Sequence, residues 1–221
     1  MSSVKQRRVK RRYDVTGRQE AAAATRASIL EAARRLFVAQ GYAATTMADV
    51  AREAEVALDT IYASIGTKQV LFRALIESAI SGTDRAVPAE ERDYVRALRA
   101  EPNAHRKLAL YARALRAIHE RLAPLMRVLK DAGPVDEQLA ILWRTIAERR
   151  ASNMRLFAKE LVATGQLRAD VEVDDAADWI WATNGPELYL LLVGDRGWSP
   201  EKYEVWLTRG WVRLLLVDGA S

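Results

Sequence analysis

Thr46 stands three residues ahead of Asp49 at the head of a short apolar run. In this Thr-x-x-Asp spacing the hydroxyl accepts from one helix-end amide and the carboxylate from another. A helix end of this kind also turns amides and a positive dipole toward any nearby anion. Few other residues in the chain are placed to do chemistry. Cysteine is absent and His105 and His119 are the only imidazoles, so disulfides, thiolate ligands and a thiol nucleophile are excluded and metal binding has little to draw on. Neither histidine stands in a catalytic spacing, no glycine-rich loop opens off a strand, and Ser, Asp and His form no nucleophile motif. We therefore expect no enzyme, no cofactor and no metal.

Charge gives a second lead. Residues 1–20 hold seven Lys or Arg against Asp14 and Glu20, which accounts for the whole +5 of the chain. Attraction to phosphate is thus concentrated at one end, although a basic tail alone reads equally well as a solvated, disordered arm. No apolar stretch follows those cations and no run is long enough to span a bilayer, so the expectation is a cytoplasmic protein with no membrane partner.

The segments that must position these residues all read at helical period, and nothing shows strand alternation, so the expected fold is all-α. Ile29, Ala33, Leu36 and Phe37 stripe a helix over about 22–39, which Gly41 should end. Short helices are expected over 47–54 and 58–63, and a fourth from Lys68 to about Ile80 after Gly66. A charged stretch with Pro88 leads to a brief helix near 90–99. Asn103 then caps a helix through His119, and Pro124 should restart the chain as a separate helix. Further helices are expected over 135–163, 174–193 with an interruption at Gly185-Pro186, and from Ser199-Pro200 to Val217. The domain boundaries follow: a basic disordered arm over 1–20, a helical domain over 21–82 and a larger one over 83–221.

A helix, a tight turn and a second short helix behind a basic arm is the helix-turn-helix arrangement, though short helix pairs are common in all-α proteins. The residues are more specific. The run Thr45-Thr46-Met47-Ala48-Asp49-Val50-Ala51-Arg52-Glu53-Ala54-Glu55-Val56, continuing Thr60-Ile61-Tyr62 and Lys68 with Leu71-Phe72, resembles the N-terminal domain of the TetR family, as do the upstream helix and the Gly41-Tyr42 pair. The resemblance covers roughly residues 22–80. It implies an N-terminal helix-turn-helix domain followed by an antiparallel helical domain for ligand binding and dimerisation. It also implies double-stranded DNA as a partner, with Thr46 at a phosphate-facing cap and Tyr62 and Lys68 clamping the backbone. Base contacts would fall to Leu58 and Thr60, with Ala57 and Ala63 beside them.

This chain departs from the family pattern at three places. Glu55 occupies a turn where the family carries glycine, and a left-handed conformation there costs roughly 1–2 kcal/mol. Asp59 is either repelled by phosphate or useful as an acceptor and helix-end charge, and Ser64-Ile65 replaces an aromatic pair.

Beyond residue 83 the resemblance implies a small-molecule effector site and a homodimer. Tyr111, Met126, Trp143, Phe157 and Trp181 supply apolar surface that would equally serve a plain core, and His119, Asn153 and Asn184 are polar residues that need partners inside helices. Two apolar faces, Ile180, Asn184, Leu188 and Leu191, and Trp206, Trp211, Leu214 and Leu215, are candidates for the dimer interface. The expected function is a sequence-specific transcriptional regulator, a repressor released from a palindromic operator by a small hydrophobic ligand. The fourth helix would be the lever. The competing expectation is a helical ligand carrier or adaptor without DNA activity.

Overall fold

The computed structural model describes residues 3–134 and 136–217, with side chains from residue 17 onward. Among the described residues the chain is helical, in the order α1 (Ser3–Ala44), α2 (Met47–Glu53), α3 (Leu58–Ser64), α4 (Lys68–Ser81), α5 (Asp93–Ala100), α6 (Ala104–Ala132), α7 (Glu137–Val162), α8 (Val173–Thr183), α9 (Pro186–Tyr189) and α10 (Pro200–Leu215). The only extended pairing among them is an isolated bridge, Leu167 with Leu216. None of these helices is long and apolar enough to cross a membrane.

Two compact units divide at Leu75 and Ile76, inside α4 and earlier than the boundary expected at residue 82. The last turn of α4 explains the difference, since its Glu77 pairs with Arg149 at 2.9 Å and its Ala79 carbonyl accepts from Arg121. Backbone helix begins at Ser3, in place of an irregular arm. The side chains of Arg7, Arg8 and the other cations up to residue 12 lie outside the described residues.

In the N-terminal unit, α1 buries Ile29, Ala33 and Phe37. The helix breaks at Gly41, whose φ of 83° suits a residue without Cβ. Thr45, itself buried, donates to the Gly41 carbonyl at 2.8 Å and so fixes the corner. The rings of Phe37 and Tyr42 stack at 5.5 Å, and Phe72 of α4 meets both edge-on. Ring pairs in these geometries add about 0.5–1.5 kcal/mol each beyond burial.

In the C-terminal unit, α6 packs on α7 and α10, and α7 on α8. Tyr111, Phe157, Tyr203 and Trp211 form the centre of the core. Pro124 does not restart a helix: α6 runs through it. One backbone bond is lost there, but Leu122, Ala123, Leu125 and Met126 around it are all buried, and that packing outweighs the local preference. Asn103, Asp136 and Ser199 cap α6, α7 and α10 through side-chain oxygens. The stretch expected as one interrupted helix over 174–193 is α8, α9 and a π-helical turn over Leu190–Asp195.

Candidate functional site

The frame around α3 is built from caps. Thr46 Oγ1 accepts from the Asp49 amide at 3.1 Å while Asp49 Oδ2 accepts from the Thr46 amide at 3.2 Å, a complete capping box. Those hydrogen bonds from Thr46, with Arg52 at 2.5 Å, hold the Asp49 carboxyl below its ordinary pKa. At the other end of α2, Val56 N–H donates to the Ala51 carbonyl at 3.0 Å and Glu55 N–H to the Arg52 carbonyl at 3.3 Å. This is a Schellman motif, and its left-handed position, φ 56°, is held by Glu55. No other described non-glycine residue has positive φ. The expected strain at Glu55 is therefore present, and Glu55→Gly should raise the denaturation free energy of the N-terminal unit by about 1 kcal/mol. A chemical-denaturation midpoint that stays put or falls would show the turn to be unstrained.

From α1, Ser28 donates to the Ala54 carbonyl at 3.3 Å, Arg26 to the Ser64 carbonyl at 3.4 Å, and Arg35 to Glu53 at 2.9 Å. These bonds tie the ends of α2 and α3 to the longer helix. Ile61 is the one residue of α3 that is fully buried. Its neighbours turn outward: Leu58 is 39% exposed and Tyr62 50%, with Ala57, Asp59 and Ala63 also exposed and Thr60 half-buried. Lys68 is half-buried, its ammonium 4.2 Å from the centre of the Tyr42 ring. The structure thus brings Leu58, Tyr62 and Ala57 to one exposed surface of α3, with Thr46 exposed at the head of α2. The segment 46–68 carries Arg52 and Lys68 against Asp49, Glu53, Glu55 and Asp59, so it is locally acidic.

The C-terminal unit holds a mostly apolar, partly open cavity of about 160 Å³. That is below the ~300–1,000 Å³ usual for ligand sites. Of the residues singled out in the sequence, Tyr111, His119, Met126, Asn153, Phe157 and Asn184 line it. Trp143 and Trp181 do not; the Trp181 indole donates to the Ala147 carbonyl and stacks under Arg150. Asn184 Nδ2 donates to Tyr111 Oη and contacts Met154 Sδ, each at 2.8 Å, while Asn184 Oδ1 is buried without a partner. Tyr203 Oη lies 3.3 Å from His119 Nδ1. Burial, reinforced by the positive charge of Arg150, pushes the His119 pKa down to about 3, and burial raises that of Tyr111.

Sequence reading missed Arg150. It follows Ile146 by four residues and precedes Met154 by four and Phe157 by seven, a cation on the lining face of α7 that helical spacing could have revealed. The two candidate interface faces also need correction. Ile180, Asn184, Trp211 and Leu215 are buried in the chain's own core, whereas Trp179, Leu191, Trp206 and Leu214 are exposed.

Residues 29–75 match the family model for bacterial regulatory proteins, tetR family. The HTH-type transcriptional regulator TtgR of Pseudomonas putida is 41% identical over 73 residues, 33% of this chain and 35% of TtgR, so the match spans about a third of that relative. Among solved structures, the SmeT-triclosan complex has a TM-score of 0.71 at 19% identity, covering 90% of this chain and 94% of SmeT. NalD, the secondary repressor of the MexAB-OprM multidrug efflux pump in Pseudomonas aeruginosa, has a TM-score of 0.69 at 22% identity, covering 90% of this chain and 99% of NalD. Residues 29–75 thus carry the N-terminal helix-turn-helix domain described by the tetR family model, and the chain shares an all-helical fold with these regulators across most of its length.

Proposed function

We propose that the chain is a sequence-specific DNA-binding transcriptional regulator whose α3 enters the major groove. The observation that carries this reading is the outward surface of α3. A seven-residue helix held by one buried isoleucine and by a hydrogen bond from α1 leaves Leu58, Asp59 and Tyr62 to solvent. Tyr62 and Lys68 position the backbone, with the amides at the head of α2 beside another phosphate. Leu58 and Thr60 read bases. Repression, relief by a small hydrophobic effector in the C-terminal cavity, and a cytoplasmic location complete the proposal. Repression and effector binding are supported by NalD's description as a repressor and by triclosan bound to SmeT. The exposed Trp179, Leu191, Trp206 and Leu214 support a homodimer, and two-fold symmetry then calls for a palindromic operator. An effector lowers operator affinity tenfold for each ~1.4 kcal/mol by which it prefers the non-binding conformation.

The test is a mobility shift with duplex DNA from upstream of the gene. The unmutated protein should retain the duplex at low ionic strength, and Tyr62→Ala combined with Lys68→Ala should weaken retention by about 10- to 100-fold. Each phosphate left without its cation lowers the log-log salt slope by about 0.9. A protein that retains no duplex would be the ligand carrier instead.

A further inference from the structure

The cavity's charge and its unpaired groups identify the class of molecule it fits. Apart from Leu115, Ile118, Leu122, Met126, Met154 and Phe157, its lining holds Arg92, Arg99, Arg149 and Arg150 against a single acid, Glu160. Three of those cations are engaged: Arg99 with Glu160 at 3.5 Å, Arg149 with Glu77 at 2.9 Å, and Arg92 with the Val87 carbonyl at 3.0 Å. Arg150 differs. Its Nε is buried without a partner, and its only ion pair among the described residues, to Glu187, is 3.8 Å long. A Cβ at Gly185 would collide with Glu187 Oε2 and come 3.0 Å from the Arg150 guanidinium, so the glycine leaves room for this loose pair. A half-buried guanidinium whose Nε–H has no acceptor is costly, and so is a buried amide oxygen with no donor, yet Arg150 and Asn184 both line this one cavity. Its volume is close to that of an engineered ~150 Å³ cavity that takes one benzene ring.

We propose that the cavity binds a single-ring organic acid bearing a hydroxyl, with the carboxylate against Arg150 and the hydroxyl donating to Asn184 Oδ1. The proposal rests on reading this cavity as the effector site. A carboxylate accepts from Nε and adds to the counter-charge that Glu187 supplies at 3.8 Å, while the ring lies among the leucines, methionines and Phe157. A neutral ring of the same size without a hydroxyl would leave both polar atoms as they are.

Isothermal titration of the full chain with sodium para-hydroxybenzoate, benzoate and the neutral para-hydroxybenzyl alcohol tests this. The hydroxy acid should bind once per chain, at least tenfold more tightly than the alcohol and severalfold more tightly than benzoate. Arg150→Met should remove the preference for the acid and Asn184→Leu the preference for the hydroxyl. The selectivity of the unmutated protein is a reading in itself, independent of how either variant folds. Equal binding of acid and alcohol, or an acid preference that survives Arg150→Met, would overturn the proposal. Duplex retention measured on the same samples separates it from the regulatory reading. Acid binding that leaves DNA untouched supports the ligand class and refutes the regulation, while retained DNA without acid preference refutes the ligand class alone.

Discussion

Removing residues 1–20 is expected to weaken duplex binding by about two to three orders of magnitude near 0.1 M salt, whatever the DNA sequence, and to flatten its salt dependence. The reason is the uneven distribution of charge. Those residues contain the whole +5 excess, while the segment 46–68 that holds α3 carries four acids against two bases. With so little local attraction, association with phosphate has to come from the arm, either along the backbone or in an adjacent minor groove. If the arm neutralises about four or five phosphates, its removal lowers the log-log slope by roughly 4. Equal affinity and slope in the truncated protein, measured by fluorescence anisotropy across a salt series, would assign recognition to α3 and its frame alone.

Acid should destabilise the C-terminal unit through His119. The ring is 2% exposed and its pKa falls from 6.5 to about 3, chiefly by burial, so between those values the unfolded chain binds a proton that the folded one refuses. Stability from this group is complete above pH 6.5 and is lost progressively as pH falls toward 3. Each pH unit between the two values is worth about 1.4 kcal/mol, so the loss is on the order of a few kcal/mol, a large share of a typical domain's total. Thermal melts from pH 7 to pH 4 should show a steep fall for the unmutated chain and a shallower one for His119→Gln, which keeps a polar partner for Tyr203. Parallel curves would mean that the histidine is charged or solvated in the folded protein.

The sequence disclosed most where a local rule has one outcome. Thr46 with Asp49, Gly41 before Tyr42, and Ser199 ahead of Pro200 each dictate a helix end through their own backbone chemistry, and each forms as expected. Glu55 shows the complementary case. A non-glycine residue gives no local sign of a left-handed turn, and only the resemblance pointed to one. Pro124 misled because a proline rule is local whereas the packing of α6 is not. The interface faces failed for another reason: α8 and α10 are apolar on more than one side, and periodicity cannot say which side meets the chain's own core. Trp211 and Leu215 went inward and Trp206 and Leu214 outward. Trp143 and Trp181 offer aromatic area, but the helices carry more apolar positions than a 160 Å³ cavity can use. The under-paired guanidinium of Arg150 depends on which groups surround it in three dimensions, and no spacing rule supplies that.

Hydroxyl-radical footprinting on the DNA upstream of the gene tests the DNA-reading role of α3 most directly. We expect two protected patches one or more helical turns apart, related by a dyad, that vanish when Leu58 and Tyr62 are both replaced by alanine in a protein that still melts cooperatively. Protection unchanged by that double replacement, or absent at low salt from the unmutated chain, would contradict it.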